Sequence, residues 1–274
     1  MGKEPVRLRE ALRVTPGAKV RLSDFDPGAT HGRTKDDANA DLEAVKTSLA
    51  DLQERLWAEH RGRVLIVLQG IDTSGKGGVI EHVMEAFPPQ GVRVQGFGVP
   101  TAEENAHDYL WRIHPHVPGD GEISIFDRSH YENVLVVRVR DLVPKARWSR
   151  RYEHINDWER MLSEEGTTIV KCFLHISKDE QRERLQARLD DPAKRWKFKL
   201  NDLEERRLWD DYMTAYEEVL RRTSTSWAPW YVIPSDRKWF RNVAVSEILA
   251  DILGELDPQF PATAEDIPTD LVVE

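Results

Sequence analysis

The chain reads VLIVLQGIDTSGKGG over residues Val64–Gly78. The first part, Val64–Leu68, is apolar and rich in β-branched residues, which predicts a buried strand. A glycine-rich loop with a lysine follows directly, and the backbone N–H groups of such a loop, together with the N-terminus of the next helix, bind phosphate. The spacing fits the pattern G-x-x-x-x-G-K, although Gly77 stands where Ser or Thr usually follows. Residues Gly70–Gly78 are therefore predicted to bind phosphate.

Length and composition are those of a globular protein with one large core, since 40% of the 274 residues are hydrophobic and 32% are charged. No run approaches the roughly 18 apolar residues of a membrane span, and the N-terminus lacks the apolar core of a signal peptide. We therefore expect a cytoplasmic protein with no membrane partner. Cys172 is the single cysteine, so an internal disulfide is excluded and a buried thiol is expected.

The net charge of −9 argues against a polyanionic ligand, but the charges are unevenly distributed. Residues 257–274 contain five acids and no base, whereas residues 138–151 contain six bases and one acid. Because local fields steer a charged ligand more than the total charge does, the basic segments can still bind a polyanion. A solvated helix face is the alternative explanation of each basic cluster.

Three parts are predicted along the chain: an N-terminal arm over residues 1–35, a folded domain over residues 36–256 and an acidic C-terminal tail over residues 257–274. The arm is rich in charges, Pro and Gly, which predicts extended chain with turns. The domain begins with a helix at 36–60, whose apolar residues step by three and four along one face. These residues are Leu42, Val45, Leu49, Leu52 and Leu56.

Strands and helices are predicted to alternate after this first helix. The predicted strands are Val64–Leu68, Val92–Phe97, Glu122–Phe126, Thr168–His175 and Tyr231–Ile233. The predicted helices are Gly75–Phe87, Ala102–His114, Ser129–Val139, Arg147–Glu165, Lys178–Leu189, Leu203–Arg222 and Val245–Leu256. Because strands separated by long helices need crossover connections, the sheet should be parallel and covered by helices on both faces. The predicted fold class is therefore α/β.

A second candidate site feature is the end of the third predicted strand, which reads Phe126-Asp127-Arg128. A carboxylate at this end of a strand lies where open α/β sheets bind ligands, and it can hold Mg²⁺ directly or through water. Arg128 can bind phosphate oxygens, and Asp72 could reach the same ion from the loop. The alternatives are a helix N-cap for Asp127 and a turn-forming role for Asp72. We interpret both aspartates as metal ligands.

A third feature is a basic region at about residues 182–207, interrupted by Asp190-Asp191-Pro192. Its bases are Arg182, Arg184, Arg188, Lys194, Arg195 and Lys197. A helix that stops at a proline, followed by a basic turn and another helix, is typical of a hinged lid that closes over phosphates and excludes water. A solvated pair of helices is the alternative. In a lid, an arginine could stabilise charge that develops on a transferred phosphoryl group.

These motifs resemble those of the polyphosphate kinase 2 family. The glycine loop with its internal aspartate, Gly70–Gly78, is similar to the first motif of that family. The stretches DYLWR over Asp108–Arg112 and FDRSHYENVL over Phe126–Leu135 resemble its next blocks, and Arg188–Lys197 resembles its lid. The likeness covers the chain from about residue 40 to residue 256. Gly77, which departs from the general phosphate-loop pattern, is normal for this family.

The resemblance implies a three-layer α/β/α phosphate-loop kinase fold, thymidylate-kinase-like, with a mostly parallel sheet and a helical lid. It implies inorganic polyphosphate and a nucleotide as partners and Mg²⁺ as cofactor, with Mn²⁺ as an alternative. The implied catalytic residues are Asp72, Lys76, Asp127 and Arg128, of which Asp72 and Asp127 would hold the metal. The implied phosphate- or nucleotide-binding residues are Gly70, Thr73, Ser74, Gly75, Gly77, Gly78, Glu132, Arg188, Lys194 and Lys197. Asp127 with Glu132 resembles the subgroup that accepts nucleoside mono- and diphosphates.

Three functions remain open at this point. The first is a polyphosphate-dependent nucleotide kinase, in which residues 138–151 and the lid would line a groove for the polymer. The second is an ATP-dependent kinase that acts on a nucleotide or small molecule, and the third is a regulator that binds without turnover. We expect a symmetric homo-oligomer, a dimer or tetramer, with no nucleic acid as partner. Base preference, direction of transfer and the end of the site that holds the nucleotide are left open.

Overall fold

The computed structural model describes residues 6–262, and within them five strands form one sheet. The strands are β1 (Arg63–Gln69), β2 (Val92–Gly96), β3 (Ile123–Asp127), β4 (Thr167–His175) and β5 (Trp230–Pro234). Their order across the sheet is β2-β3-β1-β4-β5, and every neighbouring pair is parallel. The predicted α/β class with a parallel sheet is confirmed.

Helices connect the strands and precede the first of them. They are α1 (Leu8–Ala11), α2 (Lys35–Glu59), α3 (Lys76–His82), α4 (Ala102–Ala106), α5 (Val136–Val139), α6 (Lys145–Trp148), α7 (Arg151–Glu164), α8 (Lys178–Asp190), α9 (Leu200–Arg207), α10 (Trp209–Thr223) and α11 (Lys238–Leu256). Short 3₁₀ turns lie at Leu22–Asp24, Met84–Ala86, His114–His116, His130–Asn133 and Arg195–Lys197. None of these helices is both long enough and apolar enough to cross a lipid bilayer.

The sheet lies between two helical layers, because successive strand residues point to opposite faces. Ile66 of β1 packs in one apolar cluster with Val79 of α3 and Ile248 of α11. Its neighbour Val67 packs in the other cluster with Ile155 of α7 and Val219 of α10. Burial on both faces explains why β1 is apolar throughout rather than alternating. The predicted three layers are therefore present.

The long helix α2 packs its predicted apolar face against the first of these layers. Leu49 and Leu56 are buried there, and Leu42, Val45 and Leu52 pack against the same cluster. The partner of α2 in that layer is chiefly α11. The period of three and four along this helix therefore predicted its buried face correctly.

The described part of the N-terminal arm lies on the outer edge of the sheet. The N–H of Val232 in β5 donates to Leu12 O at 2.9 Å, and the N–H of Val14 donates to Trp230 O at 2.8 Å. Leu8 and Leu12 are buried in the core. This segment therefore pairs with an edge strand that would otherwise present free backbone groups. Residues 263–274 of the predicted acidic tail lie outside the described residues.

The predicted helix at Ala102–His114 is wrong beyond Ala106, where α4 ends. Asp108 Oδ1 accepts a hydrogen bond from the N–H of Leu110 at 2.9 Å. A short polar side chain that bonds the backbone in this way stabilises a turn in competition with the helix. The chain between α4 and β3 is therefore a series of turns.

The predicted helix at Ser129–Val139 is also interrupted. Ser129 Oγ accepts a hydrogen bond from the N–H of Tyr131 at 3.2 Å, and the 3₁₀ turn His130–Asn133 follows before α5 begins. In addition, the predicted helix at Leu203–Arg222 is divided between α9 and α10. The first of these breaks directly follows β3, where the chain turns at the carboxyl end of the sheet.

Candidate active site

The phosphate loop joins β1 to α3 in a conformation that depends on its glycines. Gly70 has φ +152° and Gly75 has φ +108°, which are values that residues with side chains rarely adopt. A Cβ on Gly70 would lie 2.8 Å from Leu174 O. The loop therefore curls tightly over the end of β1, and α3 begins at its last turn with Lys76. Ser74 is buried within the loop, and Gly77 is exposed at the start of the helix.

The side chain of Lys76 folds back over the loop. Its ammonium donates to Gly70 O at 2.8 Å and is largely buried. Burial lowers the pKa of Lys76, and Arg128 lowers it further, while the nearby carboxylates of Asp72, Asp127 and Glu132 oppose this shift. The structure thus brings together the four side chains that were predicted to be catalytic.

Asp127 and Arg128 enter this group from the end of β3, beside β1. Leu68 lies opposite Asp127 in the parallel register, and the N–H of Arg128 donates to Leu68 O at 3.1 Å. Arg128 has φ +65°, and its Nη2 donates to Asp72 Oδ1 at 2.8 Å. Burial works against the charged form of Arg128, but the carboxylates of Glu132 and Asp72 outweigh it and raise its pKa.

Asp72 and Asp127 are the carboxylates near Lys76 that would hold a small divalent cation. Asp127 Oδ1 is buried and has no hydrogen-bond partner among the described residues. A buried oxygen of this kind is unfavourable unless a donor or a cation satisfies it. Over residues 6–262 no group of three or more His, Cys, Asp or Glu is placed to hold a metal ion. A cation here would therefore take one or two carboxylates and complete its shell with water and phosphate, as Mg²⁺ usually does.

Two cavities flank the phosphate loop. The first, here called the basic cavity, has a volume of about 700 Å³ and lies between α2, α3, α8 and α11. Its basic residues are Lys46, Arg184, Arg188, Lys194, Lys238 and Arg241, and it also contacts Thr73, Gly75 and Gly78. The second, here called the aromatic cavity, has a volume of about 480 Å³. Its lining includes Gly70, Asp72, Arg128, Glu132, Lys197, Asp202, Glu205, Trp209, Tyr212 and Tyr216.

The lid residues divide between these two cavities. Lys194 lines the basic cavity, Lys197 lines the aromatic cavity, and Arg188 lines both. Arg188 therefore lies where the two cavities meet. The residues of the lid have the predicted form, since α8 ends before Pro192 and a basic 3₁₀ turn precedes α9.

Arg184 was predicted as a lid residue, but its guanidinium binds the phosphate loop. Arg184 Nη1 donates to Thr73 O at 2.9 Å and to Ser74 O at 3.2 Å, and Nη2 donates to Ser235 O at 2.6 Å. It thereby joins α8 to the loop and to the turn after β5. The sequence placed this arginine in the basic lid region but could not give its partners, because they lie about 50 and 110 positions away.

Arg241 was not identified from the sequence. It lies on α11 with 2% of its surface exposed, and its guanidinium packs against Gly75 and Gly78. Nη2 donates to Asn242 Oδ1 at 2.7 Å, and no carboxylate pairs with it within residues 6–262. Burial lowers the pKa of Arg241 to about 10, and Arg184 contributes to this shift. The available signal was an arginine–asparagine pair between the apolar residues Phe240 and Val243.

The basic segment at residues 138–151 does not line either cavity, contrary to prediction. Arg138 Nη1 pairs with Glu218 at 2.6 Å, and Arg140 Nη2 pairs with Glu205 at 2.6 Å. Arg151 Nη1 donates to Asn133 O at 3.0 Å. These guanidiniums are held by other parts of the protein, so they stabilise the packing of α5 and α7 with α9, α10 and the 3₁₀ turn at Asn133 instead.

A phosphate loop at the end of a central parallel strand, with an arginine at the junction of two flanking cavities, defines a phosphotransferase of the phosphate-loop kinase class. A family model described as polyphosphate kinase 2 matches residues 32–261. The chain belongs to the polyphosphate kinase 2 family, as its motifs predicted.

Curated relatives and solved structures agree with this assignment. The chain is 55% identical over 251 residues to an AMP/ADP-polyphosphate phosphotransferase of Meiothermus ruber, covering 91% of this chain and 94% of the relative. It is 43% identical to an ADP-polyphosphate phosphotransferase of Rhodopseudomonas palustris, covering 92% of each chain. The crystal structure of polyphosphate kinase 2 from Arthrobacter aurescens matches with a TM-score of 0.93 at 47% identity, covering 97% of this chain and 95% of that one.

Proposed function

We propose that this protein is a polyphosphate-dependent nucleotide phosphotransferase. It transfers a phosphoryl group between inorganic polyphosphate and a nucleoside mono- or diphosphate, for example to AMP to form ADP or to ADP to form ATP. The observation that carries this proposal is the pair of differently lined cavities that meet at one phosphate loop. The names of the two relatives from Meiothermus ruber and Rhodopseudomonas palustris support AMP and ADP as substrates.

We assign the basic cavity to polyphosphate. A polyphosphate chain carries a negative charge on every unit, so its site needs several cationic groups in a row. Six basic side chains line this cavity. Two of them have other partners, since Lys46 pairs with Glu85 and Arg184 donates to carbonyls of the loop, but their positive charge still contributes to the local field. Backbone N–H groups of the loop would bind the terminal phosphate, with Lys76 as an additional positive charge.

We assign the aromatic cavity to the nucleotide. Trp209, Tyr212 and Tyr216 offer flat surfaces on which a base can stack. Glu132 can accept hydrogen bonds from the hydroxyl or amino groups of a nucleoside, whereas Glu205 already accepts from Arg140 and from Tyr212. Burial raises the pKa of Glu132, although Arg128 and Lys76 oppose this shift. A mixed polar and aromatic lining suits a nucleotide better than a uniform polyanion.

The chemistry at the junction would consist of positioning and charge neutralisation, with no covalent intermediate. Arg128 and Arg188 would stabilise charge on the transferred group. Asp72 and Asp127 would hold Mg²⁺ or Mn²⁺, which supplies a further positive charge to the phosphate oxygens. Closure of the lid at 182–207 would exclude water, which otherwise accepts the phosphoryl group.

A matrix of acceptors and donors tests this function directly. The purified protein is incubated with Mg²⁺, polyphosphate and one of AMP, ADP, GMP or GDP, and the products are separated by chromatography. We expect ATP from ADP and ADP from AMP with polyphosphate as the only donor. Turnover with ATP alone as donor, and none with polyphosphate, would instead favour the ATP-dependent kinase, whereas binding without turnover would favour a regulator.

Replacing Arg241 with Met tests the assignment of the basic cavity. We expect the KM for polyphosphate to rise about tenfold or more, since a charge-assisted hydrogen bond contributes roughly 1.5–3 kcal/mol. The KM for the nucleotide should stay near the parent value. The melting temperature should hold or rise, because the variant removes a buried cation that lacks a carboxylate partner within the described chain.

Arg221→Met is the matched control for this variant. Arg221 is half exposed on α10, and Glu218 lies 3.9 Å from it. The Arg221→Met variant should have the same KM for polyphosphate as the parent when both are measured at one ionic strength. Ionic strength has to be fixed because the KM of the parent should rise with added salt. An unchanged polyphosphate KM in Arg241→Met would contradict the assignment.

We further propose that the protein is a homo-oligomer, a dimer or tetramer, that acts in the cytoplasm without a nucleic-acid partner. The outer strand β2 supports an interface between copies, because Val94 on it is 48% exposed. Light scattering coupled to size-exclusion chromatography would measure the mass directly, and a monomeric mass would refute this part.

A further inference from the structure

A buried polar network lies beneath the chain segment that carries Arg128. At its centre is Lys171 in the middle of β4, which is fully buried. Its ammonium donates to Glu159 Oε2 at 2.5 Å, to Tyr131 Oη at 2.9 Å and to Thr223 O at 2.7 Å. These three acceptors use all three protons of the ammonium group. The lysine is thus fixed in one orientation.

Glu159 of α7 completes the network from the opposite side. It is fully buried and accepts from Tyr131 Oη at 2.8 Å and from His130 Nε2 at 3.1 Å. Burial would raise the pKa of Glu159, but Lys171 and the hydrogen bonds outweigh this effect and lower it. Burial lowers the pKa of His130, so its ring is neutral and Nε2 carries the hydrogen that it donates. Burial lowers the pKa of Lys171 as well, and the adjacent carboxylate of Glu159 opposes this shift. The network therefore pairs one basic and one acidic side chain at 2.5 Å.

The network is joined directly to the residues of the active site. His130 and Tyr131 begin the 3₁₀ turn that follows Arg128 and Ser129, and the same turn carries Glu132. Arg128 has φ +65°, a conformation that a residue with a side chain does not adopt without support. The buried side chains of His130 and Tyr131 therefore fix the turn. Arg128 precedes this pair, and Glu132 follows it.

Stability alone does not explain this arrangement. A buried ion pair loses its hydration on folding, and apolar side chains of similar volume often give equal or greater stability. Lys171 lies between Ile169 and Phe173 on the same face of β4, so an apolar side chain would suit its position. A network that is not needed for stability can still select one arrangement of the chain that it binds.

We propose that Glu159 and Lys171 are positioning residues for phosphoryl transfer, which act through Tyr131 and His130 to hold Arg128 and Glu132 in their working orientation. This inference rests on the proposed function. Neither residue contacts the cavities, so their effect is indirect. The interaction that transmits it is the pair of hydrogen bonds at the hydroxyl of Tyr131.

Tyr131→Phe removes that hydroxyl and leaves the charged pair in place. We expect kcat with polyphosphate and ADP to fall about tenfold or more, because a small misplacement of a catalytic group can lower the rate by up to about 10²-fold. The KM for polyphosphate should stay near the parent value, since the basic cavity is unaltered. The matched control is Tyr152→Phe, a buried tyrosine of α7 whose hydroxyl accepts from Arg138 at 3.3 Å. The control should retain the parent kcat.

A double variant separates positioning from stability. Glu159→Leu alone should lower the melting temperature, because it leaves Lys171 charged and unpaired in the core. Glu159→Leu combined with Lys171→Met removes both charges and should restore the melting temperature, while kcat stays at least about tenfold low. Recovery of kcat together with the melting temperature would overturn the inference, as would a parental kcat in Tyr131→Phe.

The parent enzyme provides the reference that distinguishes the two proposals. Absence of polyphosphate-dependent turnover in the parent would refute the proposed function itself. Turnover in the parent, with Tyr131→Phe equal to Tyr152→Phe, would refute only the positioning role. If the double variant does not fold, Tyr131→Phe still decides, because it keeps the ion pair and loses only one hydroxyl.

Discussion

Asp127→Asn is expected to lower kcat for phosphoryl transfer by about 10³-fold, which is the scale of losing one preorganised charge interaction in an active site. Asparagine keeps the shape of the side chain but removes the negative charge that would hold a divalent cation. Oδ1 of Asp127 is buried without a partner among the described residues, so folding should not depend on its charge. The measurement is kcat with polyphosphate and ADP, together with the melting temperature, which should be equal to that of the parent or higher.

Asp120→Asn is the matched control for this experiment. Asp120 precedes β3, whereas Asp127 ends it, so the same substitution is made at opposite edges of the sheet. The carboxylate of Asp120 binds Arg63 at 2.7 Å, away from the site. The control should keep the parent kcat. Binding of Mn²⁺ in the presence of polyphosphate, followed by electron paramagnetic resonance, should weaken in Asp127→Asn only; equal binding in parent and variant would contradict a metal role for Asp127.

Gly75→Ala is expected to have the second large effect, a loss of kcat/KM for polyphosphate of about 10²-fold or more. An added Cβ would overlap the guanidinium of Arg241, and the backbone at this position has φ +108°. The strain of such a backbone for alanine is about 1–3 kcal/mol, so the loop would have to shift or Arg241 would have to leave it. Either response displaces groups that bind phosphate. Initial-rate kinetics and thermal unfolding measure the two consequences.

Gly77→Ala is the comparison for stability. It makes the same change two residues further along, where the added Cβ meets no described atom within 4 Å and the backbone is not in the positive-φ region. Alanine is also the better helix former at the start of α3. The melting temperature should therefore hold or rise in Gly77→Ala and fall in Gly75→Ala. A similar decrease in both variants would show that the close packing of Arg241 does not constrain the loop.

The sheet could be predicted because its strands differ strongly from the segments that separate them. β1 is buried on both faces, so its sequence is a continuous apolar run that periodicity detects. The breaks at Asp108 and Ser129 could not be predicted in the same way. In both cases a single polar side chain accepts a hydrogen bond from the backbone N–H two residues ahead. The spacing of apolar residues carries no information about such a hydrogen bond.

The candidate site was predictable where its residues are neighbours in the chain. The loop at Gly70–Gly78 and the pair Asp127 and Arg128 carry their function in local spacing. The roles of Arg184 and Arg241 depend on contacts with the phosphate loop, which lies more than a hundred residues away in the sequence. Lys171 reads as an isolated base within an apolar strand, and its partners come from three other elements. Only the folded chain shows which charges such residues meet.

The position of Arg188 at the border of both cavities has a kinetic consequence. On the proposed assignment of the two cavities, donor and acceptor would bind in separate spaces, so neither would have to depart before the other arrives. The polymer would then stay bound while one nucleotide exchanges for the next. The same assignment predicts turnover through a ternary complex without a fixed order of binding, so that one bound polymer would serve several cycles.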